Sequence, residues 1–437
     1  MEHLSNNLIR QVALSLPFGN IKDLCLTSHK FNNAVCKYQI FWYNKLVHDY
    51  GVTEEYSDTL DWKKIYEYYI HRLIGVGFNY SGELGLGQRI REVNELTDVS
   101  NIAVKYIACG GNNTIVIDIN GDLWGTGFNN QGQLGPNIQG WVVYNFTKLN
   151  SESKFIQVAC SGNHTLALSD DNEIWYWGKA PERFIYRDVP ESYRHRNLTF
   201  ELRISGHKAK QVACSDVSSA FIDLQGKLYT FGNRDAEGIG GSERLGYSSG
   251  SMANVEVGQV MIPNYKPIIQ VSCGNHHTAC IDSNNDIWIF GSNYYGQLGL
   301  GKEDDFKTTV PIKIPNHKAK FISCGSNNTA FIDLEDHVWM CGRNNGILDQ
   351  QGDMIGTPQR ITRVYYEGQI IDIDFRVKEV LCKNNITLFI DLEENLWVTG
   401  GNKNLNIDSK VPVMVPQIKA SKVAAGNNHM AIIGYFK

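Results

Sequence analysis

The stretch Phe321-Ile-Ser-Cys-Gly-Ser-Asn-Asn-Thr-Ala-Phe-Ile-Asp-Leu-Glu-Asp-His-Val-Trp339 decides the fold. Two short apolar runs flank a polar turn, the pattern of a β-hairpin. Cys324 stands 15 residues ahead of Trp339, and Gly342 follows three residues later. The same spacing recurs at Cys109/Trp124/Gly127, Cys160/Trp175/Gly178, Cys214/Tyr229/Gly232, Cys273/Trp288/Gly291 and Cys382/Trp397/Gly400. Successive cysteines lie 51, 54, 59, 51 and 58 residues apart, so a hairpin of constant length repeats while the loops between copies vary. The turn position three before each ring holds Gly121, Asn172, Gly226, Asn285, Asp336 and Glu394. All but Glu394 tolerate a left-handed backbone, as a tight hairpin needs; a looser turn is expected at Glu394.

The two ends of the repeat region complement each other. Val423-Ala-Ala-Gly-Asn-Asn-His-Met-Ala-Ile-Ile433 matches the cysteine half with Ala425 in the cysteine place, and its ring would fall beyond Lys437. Leu73-Ile-Gly-Val-Gly-Phe-Asn-Tyr-Ser-Gly-Glu-Leu-Gly85 matches the ring half with Ile74 in the ring place. Seven first halves and seven second halves, offset by one, predict an all-β seven-bladed propeller whose last blade is closed by both ends of the repeat region, leaving no long free strand edge.

The copies also share loop phrases. Phe128-Asn-Asn-Gln-Gly-Gln-Leu-Gly135, Ser292-Asn-Tyr-Tyr-Gly-Gln-Leu-Gly299 and Phe78-Asn-Tyr-Ser-Gly-Glu-Leu-Gly85 follow the glycine; Cys160-Ser-Gly-Asn-His-Thr165 and Cys273-Gly-Asn-His-His-Thr278 precede the ring. Over residues 73–437 the chain resembles the regulator of chromosome condensation repeat family, which implies a seven-bladed propeller with this closure. Lys179-Ala-Pro-Glu182 replaces the Gly-Gln-Leu-Gly loop in one copy, and the phrases after Gly232, Gly342 and Gly400 are degenerate.

Residues 1–72 lack the repeat and read as a small all-α domain. Leu8, Ile9, Val12, Ala13 and Leu16 form an apolar face at helical spacing, ended by Pro17 and Gly19. Ser28 can cap a helix carrying Phe31 and Val35. Phe41, Trp42, Lys45, Leu46 and Tyr50 form a further segment before Gly51, and Trp62, Ile65, Tyr66 and Tyr69 a last one. Leu4, Leu8, Val12 and Leu16, the run Ile21-Lys-Asp-Leu-Cys-Leu-Thr-Ser-His-Lys-Phe-Asn32, and Cys36, Phe41, Trp42 and Lys45 resemble an F-box; Ser5 departs from it, standing where proline is usual. The resemblance implies docking onto a Skp-type adapter of a cullin ubiquitin ligase through Leu4, Leu8, Val12, Leu16, Leu24, Leu26, Phe41 and Trp42. A helical cap that only packs on the propeller is the plainer alternative.

Composition narrows the function. The net charge is −5, and residues 1–72 carry eight basic and eight acidic side chains, so the deficit lies wholly in the repeat region. No basic tail or run supports strong nucleic-acid binding. The first residues do not read as a signal peptide, and no stretch is long and apolar enough to span a membrane. Six of the ten cysteines occupy the repeat phase, where a small buried residue is wanted, and no Cys-x-x-Cys pair points to zinc. Neither a metal nor a cofactor is expected. Reduced thiols in the cytoplasm or nucleus are the simplest expectation. Abundant Asn, Ile, Tyr and Lys fit an AT-rich coding sequence such as that of a large virus, which would place the chain inside an infected host cell.

Catalytic signals are absorbed by the repeat. Gly296-Gln-Leu-Gly-Leu-Gly-Lys-Glu303 approaches a phosphate-binding loop but lacks the magnesium-holding serine or threonine, and Gly82–Gly87 repeats its phrase. His164, His277 and His429 share a position that elsewhere holds Asn113 or Asn328, so a hydrogen-bonding side chain is expected there rather than a base. Asp118, Asp223, Asp282, Asp333 and Asp391 recur at a hairpin end and are expected to bond turn backbone. Function is then expected on surfaces: the helices and two long insertions, about 180–205 with Phe184, Tyr186 and Tyr193, and about 237–267 with Arg244 and Tyr247. The expected role is a non-catalytic protein-interaction subunit, a substrate-recruiting adapter of a cullin-type ubiquitin ligase holding an unnamed target protein. The alternatives are a guanine nucleotide exchange factor for a Ras-like GTPase, with the 237–267 insertion as wedge, or a propeller scaffold with no ubiquitin link.

Overall fold

The computed structural model describes residues 5–14, 16, 21, 24–26, 28–50, 56–135, 138–149, 153–179, 202–216, 218–232, 258–264, 266–301, 307–343, 354–384, 386–402 and 407–436. From Leu73 onward the described chain is an all-β, propeller-like succession of antiparallel sheets; ahead of it stand a few short helices.

One repeat shows the plan. Val104–Cys109, Asn113–Asp118, Leu123–Phe128 and Val142–Lys148 pair in chain order into a four-stranded sheet. Cys109 opposes Thr114, and Val116 opposes Trp124. Ile268–Lys318 and Phe321–Arg360 repeat this order. Elsewhere one long strand serves two neighbours. Leu202–Cys214 is the outer strand against Glu173–Gly178 and then the inner strand against Ser218–Asp223. Ile407–Ala425 does the same between Asn395–Asn402 and His429–Phe436. The last strand closes on the first: Ile74 pairs with Ile432 and Gly77 with His429, antiparallel.

Each sheet is apolar on both faces because it is sandwiched between neighbours. The strands Asn113–Asp118, His164–Ser169 and His277–Asp282 are buried along their whole length. Ile115, Ile117, Leu123 and Leu134 of one sheet, for example, form a single cluster with Val158, Cys160, Trp175 and Trp177 of the next.

The hairpin turns are uniform. Asn172, Asn285, Asp336 and Glu394 all have φ between 63° and 74°, and Gly121 and Gly226 share the region at 82° and 84°. The looser turn expected at Glu394 is therefore not found. The Asp391 carboxylate accepts from the Glu393 and Asn395 N–H groups at 2.9 and 2.8 Å, and Lys378 pairs with Glu394 at 2.8 Å, so the turn is held although glutamate suits it poorly.

The helices comprise Asn6–Leu14, a short turn His29–Phe31 that widens into Asn32–Cys36, Gln39–Tyr50 and Trp62–Ile70. Ser28 caps as expected, its Oγ accepting from Phe31 N at 3.3 Å. These helices own a core of Ile9, Ala13, Ile21, Phe31, Val35, Phe41, Trp42, Leu46, Trp62 and Tyr66. Lys45 is buried within it and donates to Leu14 O at 2.7 Å. The module meets the sheets where Arg72, ion-paired with Asp98, lies over the Tyr69 and Phe436 rings. Cys25 and Cys36 lie side by side in this module, with Cα atoms 6.2 Å apart. The repeat-phase cysteines are free. No helix among the described residues is long and apolar enough to cross a membrane.

Candidate functional site

The repeated side chains that could have carried chemistry are instead joints. His164 Nε2 meets Ser219 Oγ at 2.8 Å, His277 Nε2 meets Thr329 Oγ1 at 2.8 Å, and His429 Nε2 meets Thr114 Oγ1 at 3.0 Å. Each bond runs from one sheet to the next. Thr114 and Thr329 in turn donate to Glu83 O and Gln297 O in the Gly-x-Leu-Gly loops at 2.7 Å. Burial holds His277 and His429 down at about 3 and His164 at about 4, so all three are neutral at pH 7.

The aspartates bind the turn backbone, and they do one thing more. Asp282 accepts from Asn284 N and Asp286 N at 2.8 and 3.0 Å through one oxygen and from Trp288 Nε1 at 2.9 Å through the other. Asp118, Asp333 and Asp391 treat Trp124, Trp339 and Trp397 identically, at 3.1, 2.8 and 2.8 Å. A ring six residues after an aspartate was visible in the sequence as a pairing signal. At Asp333, burial pushes the carboxyl up, but the Trp339 and His337 donors outweigh it and hold it below the usual carboxylate range. Asp333, Glu335 and His337 bring three ligand-type atoms within 4.8 Å of one another, yet His337 is already shared between Asp333 at 3.2 Å and Asp374 at 3.0 Å.

The phosphate-loop-like phrase is another joint. A Cβ at Gly296 would lie 2.8 Å from Ile355 O, and one at Gly82 would lie 2.4 Å from Val143 O. These glycines let the loop press against the outer strand of the following sheet. Asn293 holds the loop by accepting from Leu298 N at 3.0 Å, as Asn79 does for Leu84 N at 2.8 Å.

The inner strands surround an axial cavity of about 250 Å³, lined by Cys109, Cys160, Cys214, Cys273, Cys324, Cys382 and Ala425. Burial pushes the Cys109, Cys273 and Cys382 thiols up to about 12, so they are inert apolar lining. Three residues ahead of the cysteine phase comes a second ring: Tyr106, Gln157, Gln211, Gln270, Phe321, Glu379 and Lys422. Its glutamines bracket the next inner strand. Gln211 accepts from Val271 N at 3.0 Å and donates to Val271 O at 3.3 Å; Gln157 does so at Val212 and Gln270 at Ile322. Glu379 takes the corresponding place before Val423 and faces Lys422 at 4.0 Å; burial raises its carboxyl, opposed by the Lys422 charge and the Val423 N–H. Lys422 also lies 5.5 Å from the Tyr106 ring centroid. Sequence reasoning missed this ring, although a residue at constant offset from each cysteine was there to be compared.

Of the expected adapter-binding residues, Leu8, Val12 and Leu26 are exposed at 43%, 46% and 79%, and Leu16 and Leu24 are half-buried. Phe41 and Trp42 are only 2% and 1% exposed, so they cannot serve as surface anchors and belong to the module's own core. The single apolar face expected of the first helix is likewise divided: Ile9 and Ala13 point inward, while Leu8 and Val12, one position earlier, are turned out by about 100°. Leu4, Phe184, Tyr186, Tyr193, Arg244 and Tyr247 lie outside the described residues.

The model of the RCC1-like domain matches residues 72–432. The X-linked retinitis pigmentosa GTPase regulator of Homo sapiens is 31% identical over 271 residues, covering 60% of this chain and 25% of that protein. The E3 ubiquitin-protein ligase HERC2 of Homo sapiens is 26% identical over 252 residues, covering 56% of this chain and 5% of that protein. The chain thus spans a quarter or less of these relatives' lengths. The structure of Prp20p from Saccharomyces cerevisiae, described with its binding to Gsp1p and histones, aligns with a TM-score of 0.70 at 16% identity, over 86% of this chain and 95% of that chain; the likeness shows the fold.

Proposed function

Because the chain belongs to the RCC1-like domain family, matched over residues 72–432, we propose that it is a seven-bladed protein-interaction propeller that docks a Ras-like GTPase and acts on its nucleotide exchange. The observation that carries a binding role is the commitment of the repeated His, Asp and Gly-loop residues to joints between sheets. A ring so locked is a rigid frame on which partner-reading loops can vary. The GTPase is favoured by the relative of highest identity named above, a GTPase regulator. Release of labelled GDP from a panel of Ras-like GTPases, with the full chain added, tests it. Faster release from one member, with the complex recovered by gel filtration, is expected; no acceleration and no complex across the panel would overturn the reading.

A second reading rests on the helices. We divide the chain at residue 72 into an F-box-like domain, 1–72, and the propeller, 73–437, with the helices holding a Skp-type adapter of a cullin ubiquitin ligase and the propeller a target protein. It is favoured by Leu8, Val12 and Leu26, which are exposed although the helices already own a complete core. Capture of the full chain by an immobilised Skp-type adapter, lost in the double variant Leu8→Asp with Val12→Asp, is expected; an intact chain that is not retained rules it out.

A further inference from the structure

We propose that the axial channel is a binding site for a small oxyanion of the inorganic phosphate type, held by Lys383. The position immediately after the repeat cysteine is built for residues with almost no side chain. Gly110, Gly274, Gly325 and Gly426 occupy it in four copies, and Ser161 and Ser215 in two. The reason is steric. A Cβ at Gly110 would lie 2.0 Å from Asn113 Oδ1, one at Gly325 would lie 2.1 Å from Asn328 Oδ1, and one at Gly426 would lie 2.1 Å from the His429 ring. The obstacle is in each case the histidine or asparagine three residues on. One copy departs at both places together: Lys383 stands where the others have glycine or serine, and Ile386 where they have His, Asn or Ser. Without the polar side chain in the way, a long cationic one fits.

Lys383 lines the channel and is half-buried there. Its charge reaches the Cys109, Cys160 and Cys214 thiols, which belong to three other sheets, and the His429 ring. Among the described residues its ammonium has no hydrogen-bond or ion-pair partner. The other charges lining the channel are Lys422 and Glu379, which face each other at 4.0 Å. Nearby, Asp216 is committed to Gly162 N at 2.8 Å and does not line the cavity. Counting only the side chains that line it, the channel carries one more positive than negative charge, among thiol and alkyl walls where charges interact more strongly than in water; the Asp216 carboxylate keeps its charge outside that lining and acts on the same Cys214 thiol as Lys383.

The space and the rim suit a small ligand. The volume, about 250 Å³, is below the roughly 300–1,000 Å³ of pockets that take drug-sized molecules. A hydrogen-bonded rim lies beside Lys383: Asn275 Nδ2 donates to Ser326 Oγ at 3.1 Å, Ser326 Oγ to Asn384 Oδ1 at 3.0 Å, Asn384 Nδ2 to Asn427 Oδ1 at 2.9 Å, and Asn427 N to Gly111 O at 2.9 Å. In such a rim the Ser326 hydroxyl is spent on Asn384, and the second amide hydrogens of Asn275 and Asn384 are what it offers to an oxyanion. The site stands independently of any GTPase or adapter.

The test is calorimetric titration of sodium phosphate into the full chain, at ionic strength held constant with sodium chloride, with phosphorus-NMR line width as a second readout. One saturable site is expected in the parent chain. Lys383→Gly, which restores the residue of four other copies, and Lys383→Met should each weaken binding by about tenfold or more. Lys154→Met, on the outer surface, should not. Thermal melts confirm that each variant is folded. An isotherm without saturation and no line broadening in the parent chain, or equal affinity in both Lys383 variants, would overturn the proposal.

Discussion

His429 Nε2 lies 3.0 Å from Thr114 Oγ1, a contact between residues 315 positions apart in the chain. It is the same joint that His164 makes with Ser219 and His277 with Thr329, but here it crosses the seam where the last strand meets the first sheets. His429→Ala should remove a buried bond, leave the Thr114 hydroxyl with its Glu83 O acceptor but without the imidazole, and open a cavity, at a cost of about 2–4 kcal/mol. His429→Asn, the residue type used at Asn113 and Asn328, should cost less than half as much. Urea unfolding curves of the two variants make the comparison; equal losses would show that the bond at the seam contributes nothing beyond filled volume.

Acid should loosen the ring through these histidines. Burial holds His277 and His429 at about 3 and His164 at about 4, against an ordinary value of 6.5. Because the folded values lie below the unfolded one, the unfolded chain takes up protons first as pH falls. Stability from this source is complete above about pH 6.5 and is lost progressively toward pH 4, by up to about 1.4 kcal/mol per pH unit for each histidine. Melting temperatures from pH 7 to 4.5 should show that slope in the parent chain and a flatter one when all three are replaced by asparagine.

Glu394 is a poor residue in a well-made turn. Its φ of 69° matches the 68° of Asn172 and 63° of Asn285, which suit that region. Glu394→Asn should therefore gain about 0.5 kcal/mol, the relief of backbone strain exceeding the loss of a half-exposed pair with Lys378. A drop in the urea midpoint would mean that the ion pair dominates.

The helices can be tested by separating core from surface. Trp42, buried and donating its indole N–H to Cys36 O at 3.2 Å, should cost about 3–5 kcal/mol when replaced by alanine, with loss of helical circular dichroism. Leu8→Asp with Val12→Asp should leave the melting curve within about 0.5 kcal/mol of the parent, because both side chains face solvent. A large loss from the second pair would show that this face is covered within the chain itself.

Much was legible in the residue order because the repeat is local. A hairpin with 15 residues from cysteine to ring is specified by turn chemistry and alternating burial, both set by near neighbours, and the offset between the two chain ends foretold the strand pairing seen between Ile74 and Ile432. The aspartate turns were equally readable, since Asp282 and its partners Asn284, Asp286 and Trp288 lie within seven consecutive residues. What only the tertiary structure decided were relations between copies. That Gln157 brackets Val212, or that His164 meets Ser219, depends on how one twisted sheet is set against the next, which no spacing within a copy encodes. The helices show the same limit: Phe41 and Trp42 read as docking anchors by type, and packing against Phe31, Trp62 and Tyr66 turned them inward while leaving Leu8 and Val12 to solvent. Lys383 stood in plain sight as one lysine among glycines and serines; its place beside the cavity came from the way the inner strands gather around one axial space.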